Sequence, residues 1–75
     1  MNIDDLDATG LLCPLPVLKL RKRLGAIAVG DAIKMRADDP AAIVDVPHFC
    51  AEAGHALVEM TEDAGHHVYL VRKGG

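Results

Sequence analysis

Two prolines, Pro14 and Pro16, stand two positions apart at the head of an amphipathic run, and no other feature constrains the fold of this chain as much. Proline fixes φ at about −65° and has no backbone N–H, so a helix tolerates it in the first turn but not in its middle. A helix is therefore expected to open here, with Pro14 as its first residue. From Pro14 to Ala26, Val17, Leu20 and Leu24 share one face at helical spacing, Lys19, Lys22 and Arg23 face the other way, and Gly25 lies near the end. Upstream, residues 2–8 read as a short edge strand around Ile3 and Leu6. Thr9 and Gly10 make a turn, and Gly10 supplies a conformation that lets the loop reach the helix.

The rest of the chain alternates between the two periodicities. "GDAIKMRA" sets Ile33, Met35 and Ala37 against Lys34 and Arg36, a strand after a Gly30-Asp31 turn. "DDPAAIVDVPHFCAEAGH" offers Asp39 as an N-cap, Pro40 at the first helical position and Gly54 as a stop. Pro47 is expected to break or restart that helix, giving a turn at 40–44 and a main helix from Val46 to Ala53. "HALVEMTE" and "HVYLVRK" read as two strands joined by "DAGH" in a hairpin. The order is β-α-β-α-β-β in a single domain, 1–75, most economically packed as one sheet with both helices on one face.

Composition narrows the function. No run reaches the roughly 18 apolar residues a membrane-spanning helix needs, and "MNIDDLDATG" lacks the basic start of a secretory signal, so a soluble cytoplasmic protein is expected. A net charge of −3 argues against direct nucleic-acid binding, which needs a basic footprint. Two cysteines are too few for a disulfide scaffold, and a reducing compartment leaves both as thiols. Thiol chemistry becomes the question.

If Pro14 opens the helix, Cys13 is its N-cap, beside free backbone N–H groups and the positive end of the helix dipole. Such a position is expected to lower the thiol pKa and make Cys13 a nucleophile, moderately so because Pro14 and Pro16 remove two of the nearby donors and leave Leu15. The competing reading of a lone cysteine in an apolar stretch is a small core residue. No His, Asp or Asn adjoins Cys13 in sequence, so a protease-like dyad has no local support. No CxxC motif supports a thiol-disulfide redox protein. Cys50, after Phe49 on the core-facing side of the second helix, reads as a buried small hydrophobe. His48, His55, His66 and His67 match no zinc spacing, and adjacent His66 and His67 on a strand point to opposite faces, so no metal site is expected. Asp39 and Asp45 read as capping and turn residues framing the surface near Cys13.

The stretch "DATGLLCPLPVLKLRKRL" resembles the signature of the TusA (SirA-like) sulfur-carrier family, a Cys-Pro-x-Pro motif at the start of the first helix preceded by Asp-x-x-Gly-Leu. The resemblance continues through "GDAIKMRADDPAAIVDVPHFCAEAGHALVEM", with its Asp-Asp-Pro turn, Asp-x-Pro restart and Phe-Cys pair, and covers nearly the whole chain. It implies an α+β two-layer sandwich with one mixed four-stranded sheet and both helices on one face, like the C-terminal domain of bacterial translation initiation factor 3. It also implies a sulfurtransferase activity in which Cys13 accepts sulfane sulfur as a persulfide from a cysteine desulfurase or rhodanese-type donor. The onward relay would run to an acceptor protein serving 2-thiolation of the tRNA wobble uridine, molybdenum cofactor maturation or sulfur oxidation. No metal or organic cofactor is implied. Gly10, Pro14 and Pro16 would support the motif, and Lys19, Lys22 and Arg23 would guide an acidic patch of the donor, although a solvated helix face with cations favoured toward its C-terminus is the simpler reading of them.

Two alternatives follow from the same residues. The closing "RKGG" resembles the end of ubiquitin-like carriers that use a C-terminal thiocarboxylate, but the helix directly after the first strand departs from their opening hairpin, and the Gly-Gly is expected to be a flexible tail. A non-catalytic regulatory or protein-interaction module of the same fold would not need Cys13. The chain is expected to be monomeric.

Overall fold

The computed structural model describes residues 2–75, with the elements β1 (Ile3–Asp7), α1 (Leu15–Leu24), β2 (Ala32–Ala37), α2 (Ala42–Ala53), β3 (Ala56–Asp63) and β4 (His66–Arg72). The strands form one mixed sheet in the order β1-β2-β4-β3. β1 and β2 run parallel, Leu6 opposite Met35, while β4 is antiparallel to both β2 and β3. The expected order of elements is present, and β4 fills the middle of the sheet after β3 has taken the outer edge.

Both helices cover one face, and each does so with a ridge at i, i+4, i+8. In α1 the ridge is Pro16, Leu20 and Leu24, and in α2 it is Ala42, Val46 and Cys50. These pack on Leu6, Ile33, Met35, Ala37, Tyr69 and Val71 from the strands, with Val17, Phe49 and Leu57 closing the margins. The period-2 alternation of β2 explains its share: Ile33 and Met35 are fully buried and Lys34 between them is exposed. No helix is long and apolar enough to cross a membrane.

Pro47 does not interrupt α2, which runs unbroken from Ala42 to Ala53. A proline here forfeits only the bond its own N–H would give to the Ile43 carbonyl. The turn before it is secured by bonds from Ile43 N to Pro40 O, Val44 N to Ala41 O and Asp45 N to Ala41 O, at 3.3, 3.1 and 2.9 Å, and Val46 and Cys50 are buried on either side. The helix therefore starts at Ala42, ahead of the expected Val46, and its N-cap is Ala41 rather than Asp39. Gly54 ends it at φ +79°, as its position predicted.

The final Gly-Gly departs from a flexible tail. Gly74 N donates to His55 Nδ1 at 3.0 Å, Lys73 N to Asp31 O at 2.8 Å and Lys73 Nζ to Ile27 O at 2.8 Å. A Cβ on Gly74 would lie 1.7 Å from the Gly54 carbonyl oxygen. The glycine is there because two backbones meet.

Candidate functional site

The thiol lies where the carboxyl ends of the parallel pair β1 and β2 release their chains. Beyond β1, Ala8 N still bonds Arg36 O at 2.8 Å, and Asp7 Oδ1 then accepts from both Thr9 N at 3.0 Å and Thr9 Oγ1 at 2.6 Å. That turn sets up Gly10, whose φ of +79° is open to glycine at no steric cost. Beyond β2 come Asp38 and Asp39. Asp38 Oδ1 accepts from Gly10 N at 3.0 Å, and Asp39 Oδ2 accepts from Cys13 N. Two successive carboxylates thus clamp the loop that carries the thiol, and Asp39 also holds Ala41 N at the entry to α2.

Cys13 is exposed, and Leu12, Leu15 and Leu18 near it are exposed as well, as is Val44 beside Asp45 on α2. Its Sγ donates to Asp45 Oδ2 at 2.8 Å. Asp39 and Asp45, read from sequence as frame residues, therefore touch the cysteine directly. The contacts span 26 and 32 residues, a separation at which sequence patterns carry no signal. Asp38 reads from sequence only as part of the Asp-Asp-Pro turn, with no role at the site.

The expected lowering of the thiol pKa is overturned. α1 begins at Leu15, and Pro14, not Cys13, is its N-cap. Leu15 N, the main nearby donor left by the two prolines, is bonded to Leu12 O at 2.8 Å. Among the described residues no N–H is hydrogen-bonded to the sulfur, and the carboxylates decide the outcome. The hydrogen bond to Asp45, partial desolvation and the negative charges of Asp45 and Asp39 all push the Cys13 thiol above its ordinary value. The exposed thiol is thus held by a carboxylate, on a loop fixed by two more.

The remaining candidates are scattered. Cys50 is buried in the core face of α2 with its pKa raised by burial, and both cysteines are free. Among the described residues no three His, Cys, Asp or Glu side chains are grouped to hold a metal. His48 pairs with Glu52 at 3.3 Å, and His66 and His67 stand opposite Asp63 and Glu62 across the hairpin. Of the three α1 residues expected to dock a partner, Lys19, Lys22 and Arg23, two have internal work: Lys19 Nζ donates to Asp7 O at 2.7 Å and Arg23 Nη1 to Asp5 O at 3.3 Å, tying α1 to β1.

Residues 4–73 match the family model described as Sulfurtransferase TusA. The sulfur carrier protein TusA of Pseudomonas paraeruginosa is 47% identical over 68 residues, which cover 91% of this chain and 86% of that protein. The protein of the same description from Pseudomonas entomophila is 46% identical over 68 residues, 91% and 85% of the two chains. A solved structure of a SirA-like protein from Desulfitobacterium hafniense superposes with a TM-score of 0.82 at 23% identity, over 97% of this chain and 99% of that one. At that identity the likeness speaks for the fold, which is the α+β sandwich with one mixed sheet.

Proposed function

Because the chain belongs to the TusA family of sulfur carriers, we propose that Cys13 is the atom-bearing site, taking up sulfane sulfur as a persulfide from a cysteine desulfurase or rhodanese-type donor protein and passing it to an acceptor protein. The observation that carries this reading is the exposed Cys13 thiol, fixed in place by hydrogen bonds from its loop to Asp38 and Asp39. A relay needs a sulfur that two different partners can reach, so a surface position serves it better than a cleft. Exposed Leu12, Leu15, Leu18 and Val44 give partner proteins an apolar rim to cover around the reacting atom.

In the loading step the Cys13 sulfur attacks the terminal sulfur of the donor's persulfide. A new S–S bond forms on Cys13, the donor's S–S bond breaks, and the electron pair leaves with the donor cysteine, which takes up the proton Cys13 has lost. No oxidant is consumed. The same exchange, run against an acceptor thiol, unloads the carrier. Cys50, sealed in the core, takes no part. Lys19, Lys22 and Arg23 stand as a secondary docking surface for an acidic donor patch, through the exposed parts of their side chains.

The test is intact-protein mass spectrometry after incubation with a cysteine desulfurase and cysteine, on the wild type, Cys13→Ser and Cys50→Ser. One sulfur atom gained by the wild type and Cys50→Ser, removed by dithiothreitol and absent from Cys13→Ser, is the expected result. Uptake that survives in Cys13→Ser would place the site elsewhere, and failure with both a desulfurase and a rhodanese donor would favour a binding module.

A further inference from the structure

Sulfur exchange requires a thiol, but it does not require that the thiol be held by a carboxylate. Cys13 Sγ nevertheless donates to Asp45 Oδ2 at 2.8 Å, from the loop after β1 across to the first turn of α2. We propose that Asp45 biases the carrier toward giving sulfur away, through a hydrogen bond that the empty thiol makes and the persulfide anion cannot. The proposal rests on Cys13 being the loading site.

The charges around the sulfur favour this. Asp39 accepts from the Cys13 backbone N–H and adds a second negative charge. Further along α2, His48 is paired with Glu52, and these two line the same surface recess as Pro14, Val17, Asp45 and Phe49. Lys19, the nearest lysine in sequence, has its ammonium on the Asp7 carbonyl. Among the described residues, the side chain in hydrogen-bond contact with the Cys13 sulfur is a carboxylate and no cation opposes it.

A persulfide is more acidic than the thiol it grows from, so at neutral pH the loaded sulfur is an anion without a proton to give. Loading written in those states converts Cys13–S–H and R–S–S⁻ into Cys13–S–S⁻ and R–S–H. The S–S bond moves from R to Cys13, and the proton moves from Cys13 to R. Asp45 stabilises the left-hand state of the carrier by its hydrogen bond and destabilises the right-hand state by like-charge repulsion. It therefore lowers the loading constant against every donor by the same factor, and raises the tendency to unload to every acceptor by that factor. Repulsion also turns the terminal sulfur away from α2 and toward solvent, where an acceptor docks.

The experiment titrates the carrier with mixtures of glutathione persulfide and glutathione at neutral pH and reads the loaded fraction by intact mass, in a Cys50→Ser background with and without Asp45→Asn. Asparagine keeps an acceptor of similar shape and removes the charge. The variant is expected to half-load at a persulfide-to-thiol ratio about three- to tenfold lower, and the midpoint of Cys13 alkylation by iodoacetamide to fall by about half to one pH unit, one unit being tenfold. Asp45→Ala gives a second reading should the asparagine variant fold poorly, with thermal unfolding monitored for both. An unchanged or higher half-loading ratio in a folded variant overturns the role of Asp45 while leaving Cys13 as the loading site. A parent protein that takes up no sulfur at any ratio overturns the carrier site itself, and this proposal with it.

Discussion

Cys13, Cys50 and Tyr69 each have a neutral form that the fold prefers, for three different mixtures of reasons. Cys13 is held by the bond to Asp45 and by nearby negative charge, Cys50 by burial alone, and Tyr69 by burial with a contribution from the charge of Asp39. All three pKa values lie above their ordinary ones, so the sign of the linkage is common to them. The unfolded chain gives up these protons first, and the stability they confer is complete below the unfolded pKa values and is lost as pH rises through the folded ones. Urea unfolding at about pH 7 and about pH 10, on either side of the ordinary thiol range, is expected to show a lower midpoint at the higher pH. Cys50→Ala, less stable at both, should show a smaller drop. A midpoint equal at the two pH values would mean that these groups titrate alike in the folded and unfolded chain.

At the scale of elements, the β3–β4 hairpin contains the clearest local mismatch between sequence and backbone. Its two-residue loop holds Ala64 at φ +49° and Gly65 at φ +85°, both in the left-handed region. Glycine adopts it freely, but alanine pays for its Cβ, and turns of this kind favour Asn-Gly. Ala64→Asn is therefore expected to raise stability by about 1 kcal/mol, read as a higher urea midpoint with an unchanged slope. The hairpin itself was legible from Gly65 between two strand patterns, and both helices were legible from apolar residues spaced along one face. Pro47 was misleading because the rule that proline ends a helix counts one lost bond and ignores the burial of Val46 and Cys50 around it. The site was half legible. Local pattern led to Cys13 and placed it at the mouth of α1, but its surroundings come from Asp38, Asp39 and Asp45 on the far side of β2, brought in by parallel pairing of β1 with β2. That is why the sequence argued for a helix-activated thiolate and the structure gives a carboxylate-held thiol.

Across the whole molecule, the core is small and almost wholly aliphatic, with one tyrosine and one half-buried phenylalanine. The exposed edge strand β3 is guarded by Glu59, Glu62 and Asp63 and by a register shift between Leu57 and Glu59, features that discourage pairing with another sheet edge. A chain of 75 residues is held by about 4–11 kcal/mol, at roughly 0.05–0.15 kcal/mol per residue. Leu20, fully buried at the middle of the α1 ridge, is then a large share of the total, since Leu→Ala in a packed core costs about 2–5 kcal/mol. Leu20→Ala is expected to lower the urea midpoint sharply with little change in slope. The folded fraction should still load sulfur as the wild type does, because the Cys13 loop hangs on the aspartates after β2, and Leu20 lies more than a turn into α1 from it. Loss of loading in step with loss of stability, measured where the variant is still folded, would show instead that the thiol's position depends on how α1 seats in the core.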